Sequence, residues 1–268
     1  MSATRRTLAA ALPALLLCTP ASTQESAAHF DAAVVLLDKD AGVFKRTLDL
    51  DADGVRDAVG LNVASNYGVS YLYLYANDGS GTFQELWTTS ILATPSTDLD
   101  DPIAVGDLDG DGRQDFVAGI QDRLYPYLSN GLADPTALAP IQLPAGWGHA
   151  VDLVLCDQNG DGLDDIALLA EDRLALYTVT AGLDPADFGV MDAAVPPNET
   201  LTRLRALDVD GNGTPDLATC GDQRVWLLPV AGGAINSTPG IAHGLQDPAL
   251  AQGDVDSDGD EDLSLIHI

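Results

Sequence analysis

Basic residues are scarce: 12 Lys and Arg stand against 41 Asp and Glu, a formal net charge of −29. That imbalance excludes nucleic acid and anionic membrane surfaces as partners, because both need basic patches. Cations are the natural counterpart. Long apolar runs are scarce too. Beyond the N-terminal stretch nothing approaches the roughly 20 apolar residues of a membrane span, and no segment carries a sustained helical period. Catalytic signatures are also missing: there is no nucleophile elbow, phosphate loop or zinc motif. His29, His149 and His243 are scattered without metal-like spacing. An enzyme is therefore not the expected reading. Only three cysteines occur, and Cys18 lies in the N-terminal stretch. Cys156 and Cys220 each neighbour an acidic cluster in strand-like sequence, so two buried free thiols are expected, with a disulfide the alternative.

What is present begins with a leader. Arg5 and Arg6 precede an apolar run from Leu8 to Leu17 and then small residues, so residues 1 to about 28 are expected to be a removable export signal. That places the protein in the periplasm, at the cell surface or outside the cell. No linker is visible afterwards, and residues 29–268 form one unit. At the other end, "LSLIHI" coincides with the translation of a sequencing-adapter end, so residues 263–268 are expected to be adapter-derived and the natural chain to continue, with Leu263 equally fitting a real repeat and a true short final strand the alternative. With 46% hydrophobic residues in 268, a substantial core is available.

Five acidic clusters then recur: "DLDADGVRD" (49–57), "DLDGDGRQD" (107–115), "DQNGDGLDD" (157–165), "DVDGNGTPD" (208–216) and "DVDSDGDED" (254–262). All fit one nine-residue template, with a carboxylate or amide at positions 1, 3 and 5, Gly at 6 and Asp at 9. Their starts are spaced 58, 50, 51 and 46 residues apart, a period that signals repeated supersecondary units. The register extends beyond the clusters, since Arg123, Arg173 and Arg224 each follow position 1 of their loop by 16 residues. Between loop and Arg lies a short apolar run and a polar turn, the pattern of a hairpin. Each unit thus offers three or four short strands. Stacked around an axis, such units make an all-β propeller with about five visible blades. A β-sandwich is the alternative, and it leaves the period unexplained.

Alternating oxygens with Gly at position 6 let the chain wrap a hard cation. In the first loop the expected ligands are Asp49, Asp51, Asp53, the carbonyl of Val55, and Asp57. The second offers Asp107, Asp109, Asp111, Arg113 (carbonyl) and Asp115, and the third Asp157, Asn159, Asp161, Leu163 (carbonyl) and Asp165. In the fourth they are Asp208, Asp210, Asn212, Thr214 (carbonyl) and Asp216, and in the fifth Asp254, Asp256, Asp258, Asp260 (carbonyl) and Asp262. Up to five Ca²⁺ ions are expected, since Mg²⁺ demands a tighter octahedron and keeps its waters. Solvated acidic turns are the alternative for any single loop. Five recurrences at regular spacing count against that alternative, and four unpaired carboxylates this close within a loop would repel by roughly 1 kcal/mol per close pair even in water. Asn159 and Asn212 should weaken their loops, because ligand charge helps set affinity. EF-hands are excluded, because position 12 is apolar or small where that motif needs a ligand.

"GDLDGDGRQDFVAG", "CDQNGDGLDDIALL" and "LDVDGNGTPDLATC" resemble the FG-GAP or VCBS-type repeats of integrin α-subunit propellers and of many bacterial secreted proteins. The resemblance implies a calcium-bearing β-propeller, usually of seven blades, in which calcium is structural and other loops bind partners. This chain departs by supplying five loops. A secreted binding or adhesion module for an extracellular protein or glycan is the expectation. The propeller portion of a larger secreted enzyme is the alternative, and a structural spacer a third. Alternation in "YLYLY" more often means one strand face packing against the next unit, and a binding face built from Tyr71, Tyr73, Tyr75, Trp87 and Trp147 is the alternative.

Overall fold

The computed structural model describes residues 7–8, 43–64, 69–80, 82–92, 102–171, 173–194, 200–208, 212–221, 224–231, 234–236, 241–242, 248–253 and 262–267. Residues 254–261 of the fifth loop, Asp210, His29 and His243 lie outside them, as does the expected leader apart from Thr7–Leu8. All paired strands run antiparallel, and the helical content among the described residues is one 3-10 turn, Pro185–Asp187.

Five successive sheets carry the repeat. The first comprises Val43–Leu48, Asp57–Ala64, Val69–Asn77 and Phe83–Leu92, with Thr7–Leu8 paired on its outer edge. The second runs Ile103–Gly106, Asp115–Ile120 and Arg123–Asn130, on which both Ala133–Ala137 and Ile141–Gln142 pair. Ala150–Cys156, Asp165–Ala170, Arg173–Thr178 and Gly189–Ala194 form the third. In the fourth, Leu201–Leu207, Asp216–Gly221 and Arg224–Leu228 are followed by Ile241–Ala242. Pro248–Gly253 and Asp262–His267 pair over six positions as the fifth, so Leu263 to His267 occupy a second-strand register like that of the other units.

The first strands of successive sheets contact one another in order: Val43–Leu48 meets Ile103–Gly106, then Ala150–Cys156, Leu201–Leu207 and Pro248–Gly253. Apolar layers fill the gaps between sheets. Leu48, Leu50, Leu72 and Leu74 pack on Phe116, Ile120 and Tyr127 of the second sheet. Leu124, Leu128 and Trp147 meet Ile166, Leu168 and Tyr177 of the third. Leu169, Leu174 and Leu176 meet Leu204, Leu217 and Leu228 of the fourth. This is the β-propeller expected from the period, its sheets set around an axis lined by their first strands.

Strands covered on both faces need no polar alternation, which is why "DFVAGI", "DIALLA" and "DLATCG" are buried at every position. Arg123, Arg173 and Arg224 each open a third strand, so the 16-residue offset marks one turn of each unit. The aromatics divide by face. Trp87 stacks edge-on against Tyr127 at 5.3 Å between the first two sheets. Trp147 is buried, and Tyr75 packs with Ala58 and Phe83. Tyr71 alone of the "YLYLY" tyrosines is exposed, at 37%. Cys156 and Cys220 are buried free thiols rather than a disulfide, and burial pushes the Cys156 thiol up to about 12.

Candidate metal-binding loops

Each acidic loop joins a first strand to a second strand, so the described loops lie at the same end of their sheets. The winding is local. Position 1 accepts backbone N–H groups from the turn it starts: Asp49 from Asp53 and Gly54, Asp107 from Gly110 and Gly112, Asp157 from Gly160, Asp161 and Gly162, and Asp208 from Asn212 and Gly213. Position 5 accepts the N–H two residues on, from Val55, Arg113, Leu163 and Thr214 respectively. Closing so tight a turn needs left-handed backbone at position 6, where Gly54, Gly112, Gly162 and Gly213 take φ between 83° and 88°.

Position 9 opens the second strand and is buried: Asp57, Asp115, Asp165 and Asp216 are at most 2% exposed. One carboxylate oxygen reaches outward along the sheet, accepting the N–H of Asn77, Ser129, Val179 or Val230 at 2.7–2.8 Å. The other faces the loop. It accepts the N–H of Leu50 in the first unit at 2.9 Å and of Leu108 in the second at 2.8 Å. In the third, Asp165 is likewise buried, and the backbone N–H of Gln158 faces it from the corresponding place. Burial raises all three of the carboxylates Asp57, Asp115 and Asp165, with Asp115 reaching about 7 and Asp165 about 6 despite their backbone donors.

The structure gathers three carboxylates in each of two loops. Oxygens of Asp49, Asp51 and Asp57 lie within 4.8 Å of one another, and so do those of Asp107, Asp109 and Asp115. Asp53 and Asp111 stand apart from these groups, turned to their own N–H partners, and Asp111 also contacts the Arg113 guanidinium. The third and fourth loops carry Asn159 and Asn212 as acceptors for the N–H groups of Asp161 and Thr214. Val55, Arg113, Leu163 and Thr214 donate their N–H groups inward, and their carbonyls remain the expected ligands. Of the fifth loop only Asp262 is described, at the start of its strand.

Sequence reasoning missed position 8. Gln114 and Asp164 bridge neighbouring loops, which their exchangeable polar character did not announce. His149 is not isolated, since its Nδ1 lies 2.6 Å from Glu171 Oε1.

Residues 49–118 and 107–168 match the family model of the FG-GAP-like repeat. Integrin alpha-IIb of Mus musculus is 32% identical over 144 residues, which covers 43% of this chain and 14% of that protein's length. Among solved structures, an Agrocybe aegerita lectin described as recognising non-reducing terminal N-acetylglucosamine aligns with a TM-score of 0.46 and 20% identity, over 73% of this chain and 50% of that one. No helix among the described residues is long and apolar enough to cross a membrane.

Proposed function

We propose that this chain, in which residues 49–118 and 107–168 match the FG-GAP-like repeat, is an exported, calcium-stabilised β-propeller acting as a binding or adhesion module for an extracellular protein or glycan rather than as an enzyme. The supporting observation is the convergence of Asp49, Asp51 and Asp57, and of Asp107, Asp109 and Asp115, at 4.8 Å or closer. Every donor there is oxygen, and each loop offers several carboxylates and a carbonyl, which suits the higher coordination of Ca²⁺ better than the strict octahedron of Mg²⁺.

The ligands would be positions 1, 3, 5 and 9 with the carbonyl of position 7 in each of the five loops. A bound ion would neutralise carboxylates that otherwise repel, and so hold first and second strands in register. The chain's own residues do the rest: position 1 winds the turn, Gly at position 6 closes it, and position 9 ties it to the sheet. Carboxylates used in this way are poor general acids or bases, which supports a binding role.

The test is thermal melting of the full chain in chelator, then with Ca²⁺ or Mg²⁺ restored. The proposal expects a lower Tm in chelator and recovery with Ca²⁺ far beyond that with Mg²⁺, since a ligand bound only to the native state stabilises it. An identical melt in all three conditions overturns it.

A further inference from the structure

Position 8 is not a ligand position, yet it is where successive loops touch. The Gln114 N–H donates to the Asp49 carbonyl at 3.3 Å, and the Asp49 N–H donates to Gln114 Oε1 at 2.9 Å. Arg56 Nη1 donates to the same Oε1 at 2.8 Å. One unit on, the Asp164 N–H donates to the Asp107 carbonyl and the Asp107 N–H to Asp164 Oδ2, both at 2.8 Å. In each case position 8 of one loop clasps both amide groups of position 1 in the loop before it.

Space for the clasp is built in. Asp164 is short and must come close, and Gly106, just ahead of Asp107, lets it: a Cβ at Gly106 would collide with the Asp164 carboxylate and lie 2.7 Å from Leu155 Cβ. Ahead of Asp49 stands Leu48, and there the longer Gln114 makes the reach. At the third junction the residue is Pro215. Proline has no N–H and no acceptor side chain, so neither bond can form with Asp157.

We propose that these position-8 clasps couple cation binding among the first three loops, and that Pro215 uncouples the third loop from the fourth. The proposal rests on the calcium reading above. Position 1 is both ligand and organiser of its turn, and the next loop fixes its backbone only when that loop is itself wound. A cation that orders the second loop holds Gln114 in place and so presents Asp49 to the first loop. By linkage the converse holds equally. No ligand is shared between loops, so the coupling travels through one backbone–backbone and one backbone–side-chain hydrogen bond per junction.

The experiment is a Ca²⁺ titration of the full chain by competition with a chromophoric chelator, reading stoichiometry, apparent affinity and steepness. The comparison set is the wild type, the pair Gln114→Ala with Asp164→Ala, the pair Gln114→Glu with Asp164→Asn, and Pro215→Gln. The wild type should titrate more steeply than independent sites. The alanine pair should keep the stoichiometry, flatten the curve and lower apparent affinity about five-fold or more, the usual lower range for coupled sites. The Glu/Asn pair retains acceptors at both clasps and should keep the steepness, and Pro215→Gln should draw a further site into the cooperative phase. Bound Ca²⁺ with an independent-site curve in the wild type, or an alanine pair indistinguishable from it, overturns the coupling and leaves the calcium reading standing. No bound Ca²⁺ overturns both. Should the alanine pair fail to fold, the wild-type curve and Pro215→Gln decide the matter.

Discussion

Asp115 serves two structures at once. Its Oδ1 takes the Ser129 N–H and its Oδ2 the Leu108 N–H, in a site 1% exposed. An asparagine there turns its amide nitrogen toward one of two N–H donors whichever way it is flipped. Asp115→Asn should therefore lower stability by about 1–3 kcal/mol, the penalty for a buried donor left unpaired, and the Tm should fall even in chelator. An unchanged metal-free Tm would mean that position 9 matters only as a ligand. The nine-residue template made Asp115 legible as a ligand and left its hold on the third strand hidden, because residue 129 is not marked by any motif. Position 4 carries a second residue-scale effect. Ala52 adopts φ 60°, where Gly110 and Gly160 of the next loops take 75°. Left-handed backbone costs an L-residue about 1–2 kcal/mol, so Ala52→Gly should stabilise the protein by up to about 1 kcal/mol after the entropy of glycine is subtracted. A lowered Tm would contradict this.

Among the elements, the second strands were the most legible. Doubly covered strands must be continuously apolar, and the sequence between each loop and its Arg is so in three units. Outer strands were least legible, since "ADPTA" is largely exposed and carries no apolar face to betray its pairing. Asp152 escaped notice for another reason. A bulge between Ala150 and Asp152 shifts the register of the third unit's first strand, and this turns a polar residue of "VDLVLC" into the gap between sheets. There Asp152 is 5% exposed, and its Oδ2 accepts the Leu204 N–H at 2.9 Å and lies 3.5 Å from Arg205 Nη1. Period-2 reasoning has no way to place a bulge. Asp152→Ala strands the buried Leu204 N–H and removes the Arg205 ion pair, leaving that guanidinium its bond to the Leu204 carbonyl, and should destabilise by about 1–3 kcal/mol, whereas Asp152→Asn keeps one acceptor and should lose less. Equal melting of the two variants and the wild type would remove Asp152 from the contacts that join these sheets.

At the scale of the whole molecule the repeat period was decisive, because units that cannot bury both faces alone have to stack, and the observed layers lie between consecutive sheets. The same stacking buries the position-9 carboxylates near a strongly acidic loop face, with a consequence for pH. Burial raises Asp57, Asp115 and Asp165 above the ordinary 3.8, the last two to about 7 and about 6. A carboxyl whose folded pKa is raised contributes stability that is present in full below the unfolded value and lost as pH climbs through the folded one. The metal-free protein should thus be more stable at pH 5 than at pH 8, with the loss spread between about pH 4 and 7. The net charge of −29 pushes the same way, but high monovalent salt screens that general repulsion and leaves the buried contribution. Bound Ca²⁺ favours the ionised carboxylates and competes with protons, so the rise in Tm on adding it should be larger at pH 8 than at pH 5. Melts in chelator and in Ca²⁺ across this range, in high salt, measure both slopes. A metal-free Tm that rises from pH 5 to pH 8 would mean that the backbone donors already keep these aspartates ionised, and that the loops are wound without any cation.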